Sequence, residues 1–202
     1  MFNIRKIITI SDYITMLNII SGLLAIFFSM FSLIYLSVMF DALDGYVARK
    51  TGTVSEFGAE LDSISDIVSF GVAPSYLLYT HYDSNFVLVS AIIFCLCGAL
   101  RLARFGILNV EGFVGLPIPA GAILLVGFCQ IINNSYMDAI IAILVGLLMI
   151  SDIRYKKMRN KIILCIFAIS LILAIFGIPY FALLLCLIYC IGGIITYLKQ
   201  SH

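Results

Sequence analysis

The sequence has few charged residues, and this shortage excludes a soluble globular protein. Only 11% of its 202 residues are charged, whereas 63% are hydrophobic, and the mean hydropathy is +1.15. A soluble domain covers its core with polar residues, whereas a protein in lipid has an apolar exterior as well. The composition therefore predicts a helical membrane protein. The net charge of +1 gives no electrostatic reason to expect a nucleic-acid partner.

The sequence also lacks the usual signs of a disulfide scaffold or a zinc site. Its six cysteines lie inside apolar runs and none forms a C-x-x-C pair, so we expect small buried hydrophobic residues. Of the two histidines, His81 falls in a predicted outer loop and His202 at the end, and neither suggests a metal ligand. The sequence has no internal repeat and no low-complexity linker, which favours one catalytic domain over residues 1–202.

Long apolar runs are what the sequence does have. Because a helix crosses the hydrocarbon in about 20 residues, the runs predict an all-α bundle of about eight transmembrane helices. Six or seven are alternatives, since the later runs are short or closely joined. Ile4, Ile7 and Ile8 share one helical face, which predicts a short interfacial helix before the first span. The predicted spans are 13–29, 31–50, 55–79, 85–108, 117–133, 137–151, 161–177 and 179–198.

The Lys and Arg residues indicate the orientation of these spans. All 12 lie at or near a terminus or the predicted inner connections at 50–54, 109–116 and 152–160. The predicted outer connections carry none. Cytoplasmic loops of membrane proteins carry the excess of Lys and Arg. We therefore expect a multi-pass protein of the cell membrane, with both termini and the site described next facing the cytoplasm.

Four aspartates in the second and third spans are unexpected in lipid. A carboxylate near the middle of a membrane helix costs about 2.5–3.5 kcal/mol, so some partner must neutralise the group. Asp41 and Asp44 are three residues apart, which places them on one helical face. Asp62 and Asp66 are four apart and share a face in the same way.

A tight connection predicts how the two pairs meet. Gly52 suits the end of the second helix. Thr53, followed three residues later by Glu56, predicts a capping box that begins the third helix. Folding the hairpin about residue 53 brings the four carboxylates to one depth, with Asp44 level with Asp62. Such a cluster of oxygens suits two hard divalent cations, Mg²⁺ or Mn²⁺, with Ca²⁺ as a further option.

Small residues flank the acids on the side of the turn. Gly45, Ala48 and Gly58 allow close packing of membrane helices, and they also leave room for a bulky ligand against the backbone. Arg49 beside them can neutralise a phosphate. Because these residues lie next to four aligned acids, we favour a ligand site over helix packing alone.

These residues form the pattern D-x-x-D-G-x-x-A-R, eight further residues, and G-x-x-x-D-x-x-x-D over 41–66. The pattern resembles the complete signature of the CDP-alcohol phosphotransferase family. Segments 60–74, 98–104 and 113–119 resemble the branch of that family in which serine is the acceptor. The resemblance covers most of residues 10–125 and leaves the last third without a motif.

The resemblance implies transfer of a phosphatidyl-type group from a CDP-linked lipid, such as CDP-diacylglycerol or an ether analogue, to the hydroxyl of L-serine, with release of CMP. Asp66 would act as general base and also touch a metal ion. The principal metal ligands would be Asp41, Asp44 and Asp62. The cytidine nucleotide site would be lined by Gly45, Ala48, Arg49 and Gly58. Members of the family are commonly homodimers.

A pocket for serine should contain a fixed cation for the serine carboxylate. Arg101 and Arg104, at the inner end of the fourth span, are candidates for that carboxylate or for the lipid-linked phosphate. The alternative is that they anchor the topology and reach lipid headgroups. Gly115, Pro117 and Pro119 predict a stiff loop beside them, either a plain connection or a wall of the acceptor site.

Two polar residues of the first span, Asn18 and Ser21, either hydrogen-bond to the site or join helices. Other acceptors in the same family are glycerol 3-phosphate, an inositol phosphate and a second phospholipid. A phosphorylated acceptor calls for more cationic side chains near the acids than the sequence has. An ion transporter with intramembrane aspartates is the alternative from another class, but transporters often contain paired repeats, whereas these acids occupy one hairpin.

Overall fold

The computed structural model describes residues 7–107, 112–156 and 160–200. Most of the predicted interfacial helix lies outside these ranges. Within them the predicted all-α bundle is confirmed, and one short two-stranded sheet accompanies it. The α-helices are α1 Ile10–Phe28, α2 Ser32–Thr51, α3 Glu56–Asp66, α4 Ala73–Tyr82, α5 Asn85–Ile107, α6 Ile118–Ile131, α7 Ser135–Ile150, α8 Lys161–Ile175 and α9 Tyr180–Gln200.

A π-helical segment, Ile67–Val72, joins α3 to α4 without a break. The third predicted span is therefore one continuous helix that ends at Tyr82 rather than at residue 79. Pro74 follows the π segment and has no N–H, so the preceding turn cannot complete a regular α-helical ladder. A π turn absorbs this interruption, and such turns are frequent at functional sites. Here the π segment begins directly after Asp66.

The surface of the bundle is that of a membrane protein. In the described part of the chain, α1, α5 and the Tyr180–Lys199 part of α9 are long and apolar enough to cross a membrane. The apolar helices α6, α7 and α8 are shorter. Large side chains such as Leu100, Leu144 and Ile188 lie exposed on the outside, where lipid tails suit them better than water does.

The first three helices pack closely because small residues face one another. A Cβ on Gly22 would lie 2.8 Å from the Cα of Ser69, so α1 and the π segment almost touch. Ser69 Oγ donates to the carbonyl of Asn18 at 2.9 Å, and Ser65 Oγ donates to that of Thr15 at 3.2 Å. These bonds join α1 to the helix that carries Asp62 and Asp66.

The α2–α3 turn agrees with the prediction at Gly52 and differs from the prediction at Thr53. Gly52 ends α2 with φ +67°, which confirms the predicted C-terminal glycine. The predicted capping box at Thr53 is wrong, because the N-cap of α3 is Ser55, whose Oγ accepts from Gly58 N at 3.0 Å. Thr53 instead bonds back to α2, through its N–H to the carbonyl of Ala48 at 3.0 Å. The N-cap of α3 therefore lies two residues later than predicted.

Candidate active site

Three carboxylates meet between α2 and α3, the two helices that the Gly52 turn joins. Asp41, Asp62 and Asp66 each offer one oxygen, and these oxygens all lie within 4.8 Å of one another. We call these three residues the acid cluster. Asp44 is not one of the three, and its Oδ2 accepts a hydrogen bond from Thr15 Oγ1 of α1 at 2.6 Å. The helical faces therefore converge as the spacing predicts, but Asp44 is also held from a third helix.

The acid cluster has the chemistry of a cation site. Among the residues that the structure describes, the buried atoms Asp62 Oδ1 and Asp66 Oδ1 have no hydrogen-bond partner. Three carboxylates this close repel one another and cannot satisfy each other, because an ionised carboxylate only accepts hydrogen bonds. A hard divalent cation supplies both the charge and the ligand bonds that such oxygens lack. The residues therefore fit the ions that the sequence predicts.

A cavity of about 300 Å³ adjoins the cluster at the end of the bundle that contains the α2–α3 turn, which we call the turn end. Asp62 belongs both to the acid cluster and to the wall of this cavity. All four residues predicted to line the nucleotide site contribute to the wall, and they are Gly45, Ala48, Arg49 and Gly58. The cavity and the cluster thus form one connected site.

Close approach favours glycine at one position of the cavity wall. A Cβ on Gly58 would lie 2.9 Å from Asp12 Oδ1 and 3.2 Å from Ser55 Oγ. Asp12 is held by Thr9 and Ser55 by the N–H of Gly58, so these neighbours do not move aside freely. A Cβ on Gly45 would lie 3.1 Å from a guanidinium nitrogen of Arg49, which is the end of a flexible side chain and can shift.

Helix α1 supplies a third wall that the sequence analysis did not assign to the site. Ser11, Asp12 and Thr15 line the cavity. Asp12 caps its own helix, because its Oδ2 accepts from Thr9 N at 2.7 Å and from Thr9 Oγ1 at 3.0 Å. The Thr9-x-x-Asp12 spacing was a readable helix-start signal, but nothing in it indicates which neighbouring helix the residue faces.

Of the two arginines predicted to bind the serine carboxylate, Arg101 is the one that the fold leaves available. Its side chain is buried, and its guanidinium carbon lies 5.5 Å from the ring centre of Phe105 and 5.8 Å from that of Phe113. Within the described ranges its Nε has no hydrogen-bond partner. Its positive charge interacts favourably with the charges of Asp66 and Asp41 of the acid cluster.

Arg104 has a different environment from Arg101. It forms an ion pair with Asp152 at 3.4 Å. Gly115 packs against it, since a Cβ there would lie 2.7 Å from Arg104 Nη2, and the φ of +80° at this residue also favours glycine. Arg104 therefore fastens α5 to the C-terminal end of α7 and to β1, Phe113–Val114, which pairs with β2, Arg154–Tyr155. It donates at 2.8–3.3 Å to the carbonyls of Val114, Met149, Ile150 and Ser151.

Comparison with known proteins identifies the family of the chain. A family model described as CDP-alcohol phosphatidyltransferase matches residues 8–188. The chain is 75% identical over 199 residues to a Methanocaldococcus jannaschii protein named CDP-diacylglycerol–serine O-phosphatidyltransferase, which covers 98% of this chain and 99% of that protein. An archaetidylserine synthase of Methanothermobacter thermautotrophicus is 42% identical over 177 residues, or 78% of this chain and 75% of its own length. A Helicobacter pylori protein named CDP-diacylglycerol–serine O-phosphatidyltransferase is 39% identical over 187 residues. The match covers 82% of this chain and 78% of that protein.

Proposed function

We infer that this chain, which belongs to the CDP-alcohol phosphatidyltransferase family, transfers a phosphatidyl-type group from a CDP-linked lipid to the hydroxyl of L-serine and releases CMP. One observation connects this reaction with specific residues. Asp62 is shared between a cluster of three carboxylates and a cavity walled by the nucleotide residues of the signature. A diphosphate in that cavity would lie directly against the acid cluster.

We propose that the cavity takes the cytidine nucleotide from the cytoplasm. Its volume of about 300 Å³ lies at the lower end of the range for small-molecule sites. Arg49 in the cavity wall supplies a positive charge for a phosphate. The lipid tails would stay in the bilayer, because large apolar side chains are exposed on the outside of the bundle. A reaction at the edge of the membrane needs this combination of a polar cavity and an apolar exterior.

The acid cluster would hold divalent ions, for which we propose two Mg²⁺ or Mn²⁺, with Asp41, Asp62 and Asp66 as ligands and Asp44 beside them. When bound, such ions would supply positive charge for the diphosphate and for the departing CMP. Asp62, which belongs to both the cluster and the cavity wall, would hold them next to the phosphates. Thr15 orients Asp44 toward the cavity by donating to its Oδ2.

Asp66 is the proposed general base. A serine hydroxyl is a weak nucleophile at neutral pH, so its proton must be taken as the oxygen attacks phosphorus. Asp66 is buried and, in the part of the chain that the structure describes, its Oδ1 has no hydrogen-bond partner. A carboxylate has several lone pairs, so Asp66 can accept the proton while it also contacts a cation. Arg101 lies close enough to attract Asp66 and is the proposed partner of the serine carboxylate.

The environment of Arg104 favours serine over a phosphorylated acceptor. A phosphate group would call for several cations near the acid cluster. Arg104 uses its guanidinium on backbone carbonyls of the loops, which leaves Arg101 as the buried arginine beside the cluster. The lipid is either an ester or an ether, since relatives named for both kinds of product resemble the chain.

We further propose that both termini and the turn end face the cytoplasm, as the Lys and Arg distribution predicts, and that the protein acts as a homodimer. The full-length chain would form a single catalytic domain.

An acceptor screen tests the function. The purified protein in lipid nanodiscs is given CDP-diacylglycerol or its ether analogue, a divalent ion, and one acceptor at a time, and CMP release is followed. Serine should stimulate release, whereas glycerol 3-phosphate and an inositol phosphate should not. Release with glycerol 3-phosphate and none with serine would place the chain elsewhere in the family.

A further inference from the structure

One buried amide remains unexplained by the site as described. Asn18, in the middle of α1, has 0% of its surface exposed. Over the described residues, neither its Oδ1 nor its Nδ2 has a hydrogen-bond partner. Its backbone carbonyl, by contrast, accepts from Ser69 Oγ at 2.9 Å and from Ser37 Oγ at 3.4 Å. Burying an unpaired polar group costs about 1–3 kcal/mol, so a buried side-chain amide normally has a partner.

The contact between α1 and α2 locates this amide relative to Asp41. The two helices are antiparallel, and the hydrogen bond from Thr15 to Asp44 fixes their register. Three residues further along α1 is Asn18, and three residues back along α2 is Asp41. Residues three apart lie on the same helical face, so Asn18 comes level with Asp41.

The contact between α1 and the third span locates the amide relative to Asp66. These helices are parallel, and two bonds fix their register, from Ser65 to Thr15 and from Ser69 to Asn18. Asp66 lies between those two levels. Side chains of a helix tilt toward its N-terminus, which for α1 is the turn end, so the amide of Asn18 leans toward the level of Asp66. The amide of Asn18 therefore lies at the level of Asp41 and Asp66, the members of the acid cluster that are farther from the turn.

Asn18 Oδ1, at the level of Asp41 and Asp66, has no partner in the described structure, and the same is true of two oxygens of the acid cluster, Asp62 Oδ1 and Asp66 Oδ1. Acceptors cannot satisfy one another, but a cation between them satisfies all three. Amide carbonyl oxygens are ordinary ligands of hard divalent cations. We propose that Asn18 supplies a neutral oxygen ligand, through Oδ1, to the cation held by Asp41, Asp62 and Asp66.

The neutrality of the amide has a function in this proposal. Three carboxylates already exceed the charge of one divalent ion, and the substrate adds a diphosphate. An aspartate at position 18 would bind the free ion more tightly but would repel the nucleotide. An asparagine adds a ligand without adding negative charge, so it does not increase the repulsion of the diphosphate. The inference rests on the proposed function only for the presence of a cation.

Cation binding without substrate tests the proposal. Full-length protein in nanodiscs is titrated with Mn²⁺, and free Mn²⁺ is followed by electron paramagnetic resonance. Asn18→Leu removes the amide at similar size and should weaken Mn²⁺ binding by about 10-fold or more, the scale of losses around metal sites. Asn18→Asp should bind Mn²⁺ more tightly than the unaltered protein and CDP more weakly. Ser37→Ala is the matched control, because it removes a bond to the Asn18 carbonyl and leaves the amide in place.

Wild-type Mn²⁺ affinity in Asn18→Leu would overturn the proposal. If that variant does not fold, the Asn18→Asp variant decides, since an Mn²⁺ affinity equal to that of the unaltered protein would also overturn it. A large loss of Mn²⁺ affinity in Ser37→Ala would also overturn the proposal, because helix packing rather than the amide would then control cation binding. Serine-dependent CMP release by the unaltered protein is measured on the same samples, so failure of the proposed function is seen separately.

Discussion

Replacing Asp66 by asparagine separates base catalysis from nucleotide binding, because Asp66 and Asp62 occupy different parts of the site. Both belong to the acid cluster, but Asp62 also lines the nucleotide cavity. Asp66 is a buried member with an oxygen that has no partner among the described residues. Asp66→Asn keeps the size of the side chain and one metal-binding oxygen, and removes its basicity.

The expected loss follows from the contribution of a general base. Such groups accelerate reactions by about 10²–10⁴-fold, which corresponds to about 3–5 kcal/mol in activation free energy. We therefore expect Asp66→Asn to lower turnover at saturating serine by about 10²-fold or more. CDP binding in the presence of Mn²⁺ should fall less than in Asp41→Asn or Asp62→Asn. Turnover is measured as CMP release, and binding by calorimetry with the same protein.

Asp138 offers a matched control for this substitution. It is a fully buried aspartate of α7 whose carboxylate accepts from the Tyr82 hydroxyl, outside the acid cluster. Asp138→Asn makes the same chemical change and should leave turnover per folded molecule close to that of the unaltered protein. A near-normal rate in Asp66→Asn would refute the base assignment. Loss of CDP binding as complete as in Asp62→Asn would instead make Asp66 chiefly a metal ligand.

Four further predictions concern the acceptor, the stability of the fold, the metal and the topology. Arg101→Gln should raise the KM for serine by about 10-fold or more, on the scale of a hydrogen bond to a charged group, with little change in CDP binding. Arg104→Gln should lower the melting temperature more than it changes the KM for serine, since it removes bonds between loops. A chelator should abolish CMP release, and Mg²⁺ or Mn²⁺ should restore it; full turnover in chelator would exclude the metal site. In a background without native cysteines, single cysteines at 82–84 should react with an impermeant reagent outside intact cells, whereas those at 155–156 should not, and the opposite pattern would invert the topology.

The sequence by itself determined the class of the protein and the centre of its site. Apolar runs of about 20 residues leave no soluble alternative, and helices occupy all eight predicted spans. The spacings of three and four residues place each aspartate pair on one face. Gly52 then folds the two faces together, because it ends α2 in a conformation that favours glycine. Each of these signals is local, so the sequence contains it in full.

The tertiary structure alone decided which residues of other helices complete the site. Thr15 is bound to Asp44 across 29 positions of sequence, and Asn18 to Ser69 across 51. No local pattern records the lateral placement of α1 that makes these contacts. The tertiary structure also decided which of the two arginines is available to the site, since the sequence does not distinguish them. Three residues turn a helix by about 300°, so Arg101 and Arg104 point about 60° apart, one beside the acid cluster and the other into the loops.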